Sequence, residues 1–477
     1  MSAKNTLVGA AIAAAMAGGS SLLFLALVAV GDRLVIRKVA PLEHLFPPHA
    51  RFEYDTPEFH FVATTNRLGL RDREVDRLRA PGFRIVAIGD SFTFGWGVAL
   101  EDSWPKLLEA HLRADGFSAE VLNAGRGGYG PADYVRVAEQ VIPRLEPDLV
   151  LVGVLQGDDL AQSLSSTPAT PPDVVGPSPW LWEGARAALR WICPNLLRWR
   201  RGWARASDPK DSGAVWREQV RERLAKLTAD ERQVYARVDA AARDLYEGGG
   251  LNPGLLFLAL RQPEYFSLSE REDESAQAHE RELAKHLRRI RDLTVAHGTR
   301  LLVVSIPNGI YTSARALETR GKLGFHVDES FLASSAPDDV IRRACRASGT
   351  AFVTVLSQFR SLGDEEELYY EWDGHFTSLG NLRFAKLLTP AVEMEIGRAR
   401  LTGSPRTDVP GEAPLPPPPE DLVTPPVASE TAGARANRRA PLGRTLSRRR
   451  PTPGGNWGRL LWSSSRINIY NDYVRMV

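Results

Sequence analysis

The strongest constraint on this chain is a series of short apolar runs, each closed by turn residues. Arg84-Ile-Val-Ala-Ile-Gly89, Asp148-Leu-Val-Leu-Val-Gly-Val154, Arg300-Leu-Leu-Val-Val-Ser305 and Ala351-Phe-Val-Thr-Val-Leu356 place apolar side chains at successive positions, not alternate ones. A strand built this way hides both faces, as in a parallel sheet packed between helices. A shorter run, Glu120-Val-Leu-Asn123, joins the set. Helical segments fall between the runs: Trp104–Arg113, a segment opened by Pro131, and the charged stretch Arg281–His297. The alternation predicts an α/β fold whose parallel sheet is covered on both faces.

At 477 residues the chain exceeds one ordinary domain, and three segments fall outside the strand–helix pattern. Thr6 to Val30 carries no charge and is long enough to cross a bilayer. A cleaved signal peptide competes, but the run is too long for its apolar region and no small-x-small site closes it. Residues 161–280 separate the third strand in chain order from the fourth and read as a helical insertion after a Ser/Pro linker, Ser163–Pro179. There Trp180, Trp182, Trp191, Trp199 and Trp203 interleave with arginines up to Arg205. That composition suits a helix at a lipid interface, so residues 180–205 form a second candidate membrane contact; the competing reading is a lid whose tryptophans pack on the core. The end of the chain is Pro-rich, then Arg-rich, and is expected to be disordered. The expected division is an anchor (1–31), a connecting segment (32–82), a first domain part (83–160), the insertion (161–280), a second domain part (281–398) and the tail (399–477).

Hydrophobic residues make up 43% and charged residues 25%, which excludes wholesale disorder. Two cysteines, Cys193 and Cys345, exclude a disulfide framework or a thiolate zinc site. No HExxH or CxxC pattern supports a catalytic metal. Gly125-x-Gly127-x-x-Gly130 satisfies the dinucleotide fingerprint, yet it follows the second strand where a nucleotide fold needs it after the first. No cofactor and no nucleic-acid partner are therefore expected. The Arg-rich tail offers only general attraction to polyanions.

Chemistry concentrates in two places. Gly89-Asp90-Ser91 follows the first strand directly, so Ser91 falls at the carboxyl edge of the sheet, where open α/β folds bind ligands. Asp and Ser are common in turns, so the tripeptide alone says little. Its counterpart is Asp373-Gly374-His375-Phe376-Thr377, after the last strand. A serine hydroxyl needs a base to take its proton, and the base needs an orienting carboxylate. Of nine histidines, His375 alone follows an Asp in such a loop; a histidine that caps a helix or bonds the backbone is the competing reading.

These blocks resemble the SGNH (GDSL-type) hydrolases, in that family's order. Gly89–Gly95 matches the nucleophile block, Asn123–Tyr129 the glycine block, Gly157-Asp158-Asp159 the Gly-Asn-Asp block, and Asp373-Gly374-His375 the acid and base. Asn66-Arg67-Leu68-Gly69-Leu70-Arg71 is similar to a segment that precedes the first strand in membrane-anchored bacterial members. The resemblance implies a three-layer, flavodoxin-like sheet. It assigns Ser91 as nucleophile, His375 as base, Asp373 as orienting acid, and Gly128 with the Ser91 amide as oxyanion donors. It also implies a periplasmic domain on the inner membrane acting on acyl esters of an envelope glycan or lipid.

The chain departs from the family twice. Acid and base are spaced Asp-x-His, a spacing similar to that of alginate-type O-acetyltransferase relatives. Asp158 stands where the family has an asparagine that donates to the oxyanion, and an ionised carboxylate cannot donate. Three readings follow: burial keeps Asp158 protonated, Gln156 supplies the amide instead, or the site is inactive. The alternatives to an esterase are accordingly an O-acyltransferase that delivers the acyl group to a sugar hydroxyl, and a catalytically degenerate binding module.

Overall fold

A computed structural model describes residues 3–36, 40–75, 82–164, 191–196 and 212–401. A two-stranded hairpin, β1 (Arg51–Asp55) and β2 (His60–Thr64), precedes the central sheet. The apolar runs become five parallel strands: β3 (Phe83–Gly89), β4 (Ala119–Gly125), β5 (Leu149–Leu155), β6 (Arg300–Ile306) and β7 (Ala351–Thr354). Their order across the sheet is β4-β3-β5-β6-β7. Numbered from β3 this is 2-1-3-4-5, the flavodoxin-like order. The winding reverses between β3 and β5, and the crevice at their carboxyl ends is where such sheets take ligands.

Strand periodicity sorts the core into two halves. Val86, Ile88, Val150 and Val152 face the helices Pro131–Leu145, Glu274–Ala296 and Ala336–Ser348. Ile85, Ala87, Leu149 and Leu151 face Trp104–Ala114 and Ser378–Leu401. Burying each large apolar side chain contributes about 1.5–3 kcal/mol, so this double-sided core fixes the strand ends that carry the chemistry. The helix expected from Arg281 starts at Glu274, where the Asp273 carboxylate accepts from the Ala276 amide at 2.9 Å. Residue 280 therefore lies inside a helix.

The connecting segment is more than a linker. Asn66 Oδ1 accepts from the amides of Leu68 and Leu70, shaping a turn that buries Arg71. The Arg71 guanidinium donates to the carbonyls of Phe94, Gly95 and Val98, just after the nucleophile turn. Next to it, Asp72 accepts from the Asn123 amide at 2.7 Å and pairs with buried Lys106 at 3.0 Å. Removing one partner from such a buried pair costs more than the pair gains, so the segment is tied to β4 and to the loop after β3.

Beyond β5 the described insertion is helical, with Ser212–Leu224, Ala229–Tyr235, Ala240–Gly248 and Pro253–Arg261. It shares a core with the segment after β6, where Tyr246, Leu256 and Phe257 meet Tyr311 and Phe325. Most of the Trp/Arg stretch 180–205 lies outside the described residues, as does the tail beyond 401. Within 191–196, Trp191 is 75% exposed. Arg33 donates to the carbonyls of Trp191 and Ile192 at 3.0 and 3.1 Å, and Asp32 accepts from the amides of Asn195 and Leu196. Both acceptor and donor stand at the end of the N-terminal helix Ala3–Gly31. The span Ala15–Ile36, which continues from this helix through the helical turn Asp32–Ile36, is long and apolar enough to cross a membrane.

Candidate active site

β3 ends at Gly89 and runs into the short helix Ser91–Phe94, with the Asp90 side chain accepting from the Phe92 amide at 2.9 Å. This cap turns Ser91 onto the sheet's carboxyl edge. β4 comes very close here: a Cβ on Gly125 would lie 2.3 Å from the Phe94 nitrogen, so only glycine fits.

His375 Nε2 lies 2.7 Å from Ser91 Oγ, and His375 Nδ1 is hydrogen-bonded to Asp373 Oδ1. With Nδ1–H donating to the carboxylate, Nε2 accepts the serine hydroxyl, the tautomer that the network selects. Asp373 Oδ2 accepts from the Trp96 indole at 3.2 Å. Burial alone would raise the pKa of Asp373, but neighbouring His375 and Arg320 hold it below the ordinary carboxylate value. Asp373 is thus an anion that orients the imidazole and stabilises its protonated form.

The short Asp-x-His spacing closes because Gly374 adopts a left-handed conformation, φ +82°. A Cβ there would fall 1.7 Å from Arg320 Nη2. The His375 amide also donates to Asp373 Oδ1 at 3.3 Å, making a local turn around the carboxylate. Two charges grip this loop from outside. Glu58, in the hairpin turn, accepts from the amides of Trp372 and Asp373 at 2.9 and 2.8 Å. Arg320 donates to the carbonyls of the same two residues at 3.2 and 2.9 Å.

On the oxyanion side, a turn closed by the Tyr129 amide on the Arg126 carbonyl places Gly128 at φ +77°. Among the described residues, the N–H groups of Ser91 and Gly128 have no hydrogen-bond acceptor. Both residues line one cavity with His375 and Asp373, of about 50 Å³.

Asp158 opens the short helix after β5 and is buried, 3.4 Å from Asn308 Nδ2. It does not line the cavity. Burial pushes its pKa up to about 6. Burial, reinforced by Asp158, likewise pushes Asp90 up to about 7. Asp159, bonded to the Tyr134 hydroxyl at 2.9 Å, is raised well above the ordinary value, chiefly by burial and then by Asp90.

The expectation that Gln156 supplies an oxyanion amide is corrected. Its Nε2 donates to Ser305 Oγ at 3.1 Å and to Asp338 Oδ1 at 2.8 Å, and its Oε1 accepts from the Asn308 amide. A glutamine amide has two N–H donors, and both are spent between β6 and the helix Ala336–Ser348, away from the cavity. Sequence reasoning also missed Trp96, Glu58 and Arg320, which hold the acid, and Asn252 and Leu255, which line the cavity from the insertion. Of these only Trp96 carried a local signal, following the nucleophile block directly in Gly95-Trp96-Gly97.

Solved esterases are among the structures this chain resembles. It is similar to TesA at 12% identity, covering 65% of this chain and 99% of that one, with a TM-score of 0.32. An acetyl xylan esterase, AlAXEase, aligns at 13% identity over 65% of this chain and 100% of the other, TM-score 0.31. A lipase/acylhydrolase from Enterococcus faecalis aligns at 13% identity over 66% and 96%, TM-score 0.30. No protein-family model matches the chain, and no curated protein does.

Proposed function

We propose that this protein is a serine ester hydrolase of the SGNH type, held at a membrane by its N-terminal helix. The observation that carries the reading is the unbroken hydrogen-bonded line Ser91–His375–Asp373 at the switch point of the sheet. Ser91 Oγ attacks the ester carbonyl while His375 Nε2 takes its proton, and Asp373 stabilises the imidazolium. The N–H groups of Ser91 and Gly128 receive the negative charge of the tetrahedral intermediate. His375 then returns the proton to the leaving alcohol, and water repeats the sequence on the acyl-enzyme. In this reading the domain lies in the periplasm on the inner membrane and acts on an ester-bearing envelope glycan or lipid. The same acyl-enzyme could pass its acyl group to a sugar hydroxyl, a reading supported by the two-residue spacing of Asp373 and His375.

Turnover of an aryl ester by wild type, Ser91→Ala, His375→Ala and the double variant tests the reading. Residues that act as a unit are non-additive. Each single change should abolish turnover, and the double should be no worse. Near-wild-type rates in Ser91→Ala would end the assignment.

A further inference from the structure

The cavity beside Ser91 is walled by residues from outside the strand–helix core. Phe46 and the hairpin residues Phe52 and Tyr54 form one side, Phe94 and Trp96 after the nucleophile another, and Leu255 of the insertion helix closes it. The rings brace one another. Phe46 lies 5.2 Å from Phe94, centre to centre, and Tyr54 lies 4.6 Å from Trp96. Behind Tyr54 stands fully buried Trp216, also from the insertion, at 6.4 Å. A wall packed this way is preformed.

Its polarity is specific as well. No lysine or arginine lines the cavity among the described residues, and Asp373, which is committed to His375, is its only acid. Asn252 is the one amide side chain, and its Oδ1 is used to cap its own helix by accepting from the Gly254 amide at 2.8 Å. What Asn252 can offer a bound group is therefore its N–H pair, suited to an ester oxygen. A carboxylate on the acyl group would lose its hydration against aromatic rings and meet no cation. An acetyl group would leave much of the aromatic wall uncovered.

We propose that this chamber is the acyl pocket, and that the substrates carry an uncharged, apolar acyl chain longer than acetyl. The inference rests on Ser91 being the nucleophile, because that residue places the carbonyl carbon at the mouth of the chamber. It assigns substrate choice to the hairpin and the insertion, the two parts that the resemblance to a known family does not explain.

The test uses the full-length protein in lipid nanodiscs with p-nitrophenyl acetate, butyrate, octanoate and hemisuccinate. Each methylene that enters the pocket should raise kcat/KM by about fourfold, so butyrate, with two more, should exceed acetate by about sixteenfold. Hemisuccinate should fall well below butyrate. Leu255→Trp, which fills the chamber, should lower the octanoate-to-acetate ratio, and Leu255→Ala should preserve or raise it. Labelling of Ser91 by methyl- and octylphosphonofluoridate gives a second readout that needs no ester turnover and no engineered variant; the octyl reagent should react faster. A flat or falling acyl series beside active acetate hydrolysis would overturn the proposal. So would a gain that follows the alcohol chain in ethyl and octyl acetates. Absence of both ester turnover and Ser91 labelling would instead strike the nucleophile assignment, and the pocket with it.

Discussion

Ser91 Oγ and His375 Nε2 stand 2.7 Å apart across 284 residues of chain. Two local devices bring them together. The Asp90 cap turns the serine outward at the end of β3, and the left-handed Gly374 folds the acid and base into one short loop. The sheet supplies the rest, because both loops leave its carboxyl edge.

Gly374→Ala should lower kcat by about 10²-fold or more, the scale on which a misplacement near 1 Å acts. The new Cβ cannot coexist with Arg320 where it stands, and the backbone conformation disfavours it. Steady-state kinetics beside a thermal melt check this. A kcat that collapses at temperatures well below the variant's own, lowered, melting point is the expected result.

Glu58 is a positioning residue. Its carboxylate accepts two amides, whereas a glutamine Oε1 with its NH2 partner cannot reproduce both bonds. Glu58→Gln should lower kcat about tenfold and leave KM near its original value, since the loop carries Asp373 and His375 but contributes no ring to the aromatic wall. Each unsatisfied buried amide costs about 1–3 kcal/mol, so the variant should also melt earlier. An unchanged kcat with a lower melting point would reduce Glu58 to a structural role.

Burial sets a pH dependence of stability. Asp90 keeps its proton up to about pH 7 in the folded protein, while an unfolded chain releases it at about 3.9. Between these values the folded state binds more protons, so stability falls as pH rises. Asp158, at about 6, acts in the same direction over a narrower window. Asp90→Asn keeps an oxygen for the Phe92 cap and removes the charge. Its stability should match wild type at pH 4 and exceed it by roughly 2–4 kcal/mol at pH 8, since each pH unit between the folded and unfolded titrations is worth about 1.4 kcal/mol. Denaturant titrations at the two pH values measure the difference.

Asp158 also separates two forms of the site. Ionised above about pH 6, it adds a buried negative charge behind the cavity, which it does not line, so Asp158→Asn should raise kcat at pH 8 only several-fold, through space, well short of the roughly 10²-fold of a direct oxyanion donor. At pH 5 the native carboxyl is protonated and the substitution should change little. Parallel pH–rate profiles read the two limits. Equal effects at both pH values would remove Asp158 from the electrostatics of the reaction.

The sheet is legible in the sequence because strands buried on both faces leave uninterrupted apolar runs, as at Ile85–Ile88 and Leu149–Val152. Ser91 and His375 are legible because their chemistry sits in short contiguous blocks. The role of residues 40–75 is not: Arg71 acts on carbonyls 23 to 27 positions away, and Asp72 on an amide 51 positions away. Such contacts leave no periodicity. Gln156 escapes a reading of the sequence for a related reason, since its amide is directed by Asp338, 182 residues further on. Asn252 and Leu255 lie hidden in an insertion whose register against the hairpin only the folded chain defines.

The central claim is that Ser91 is a nucleophile activated by His375. Fluorophosphonate labelling of the full-length protein, followed by peptide mapping, tests it most directly. A single adduct on Ser91, lost in Ser91→Ala and greatly slowed in His375→Ala, is the predicted result. A protein that takes up no label at Ser91, or is labelled equally well without His375, would contradict it.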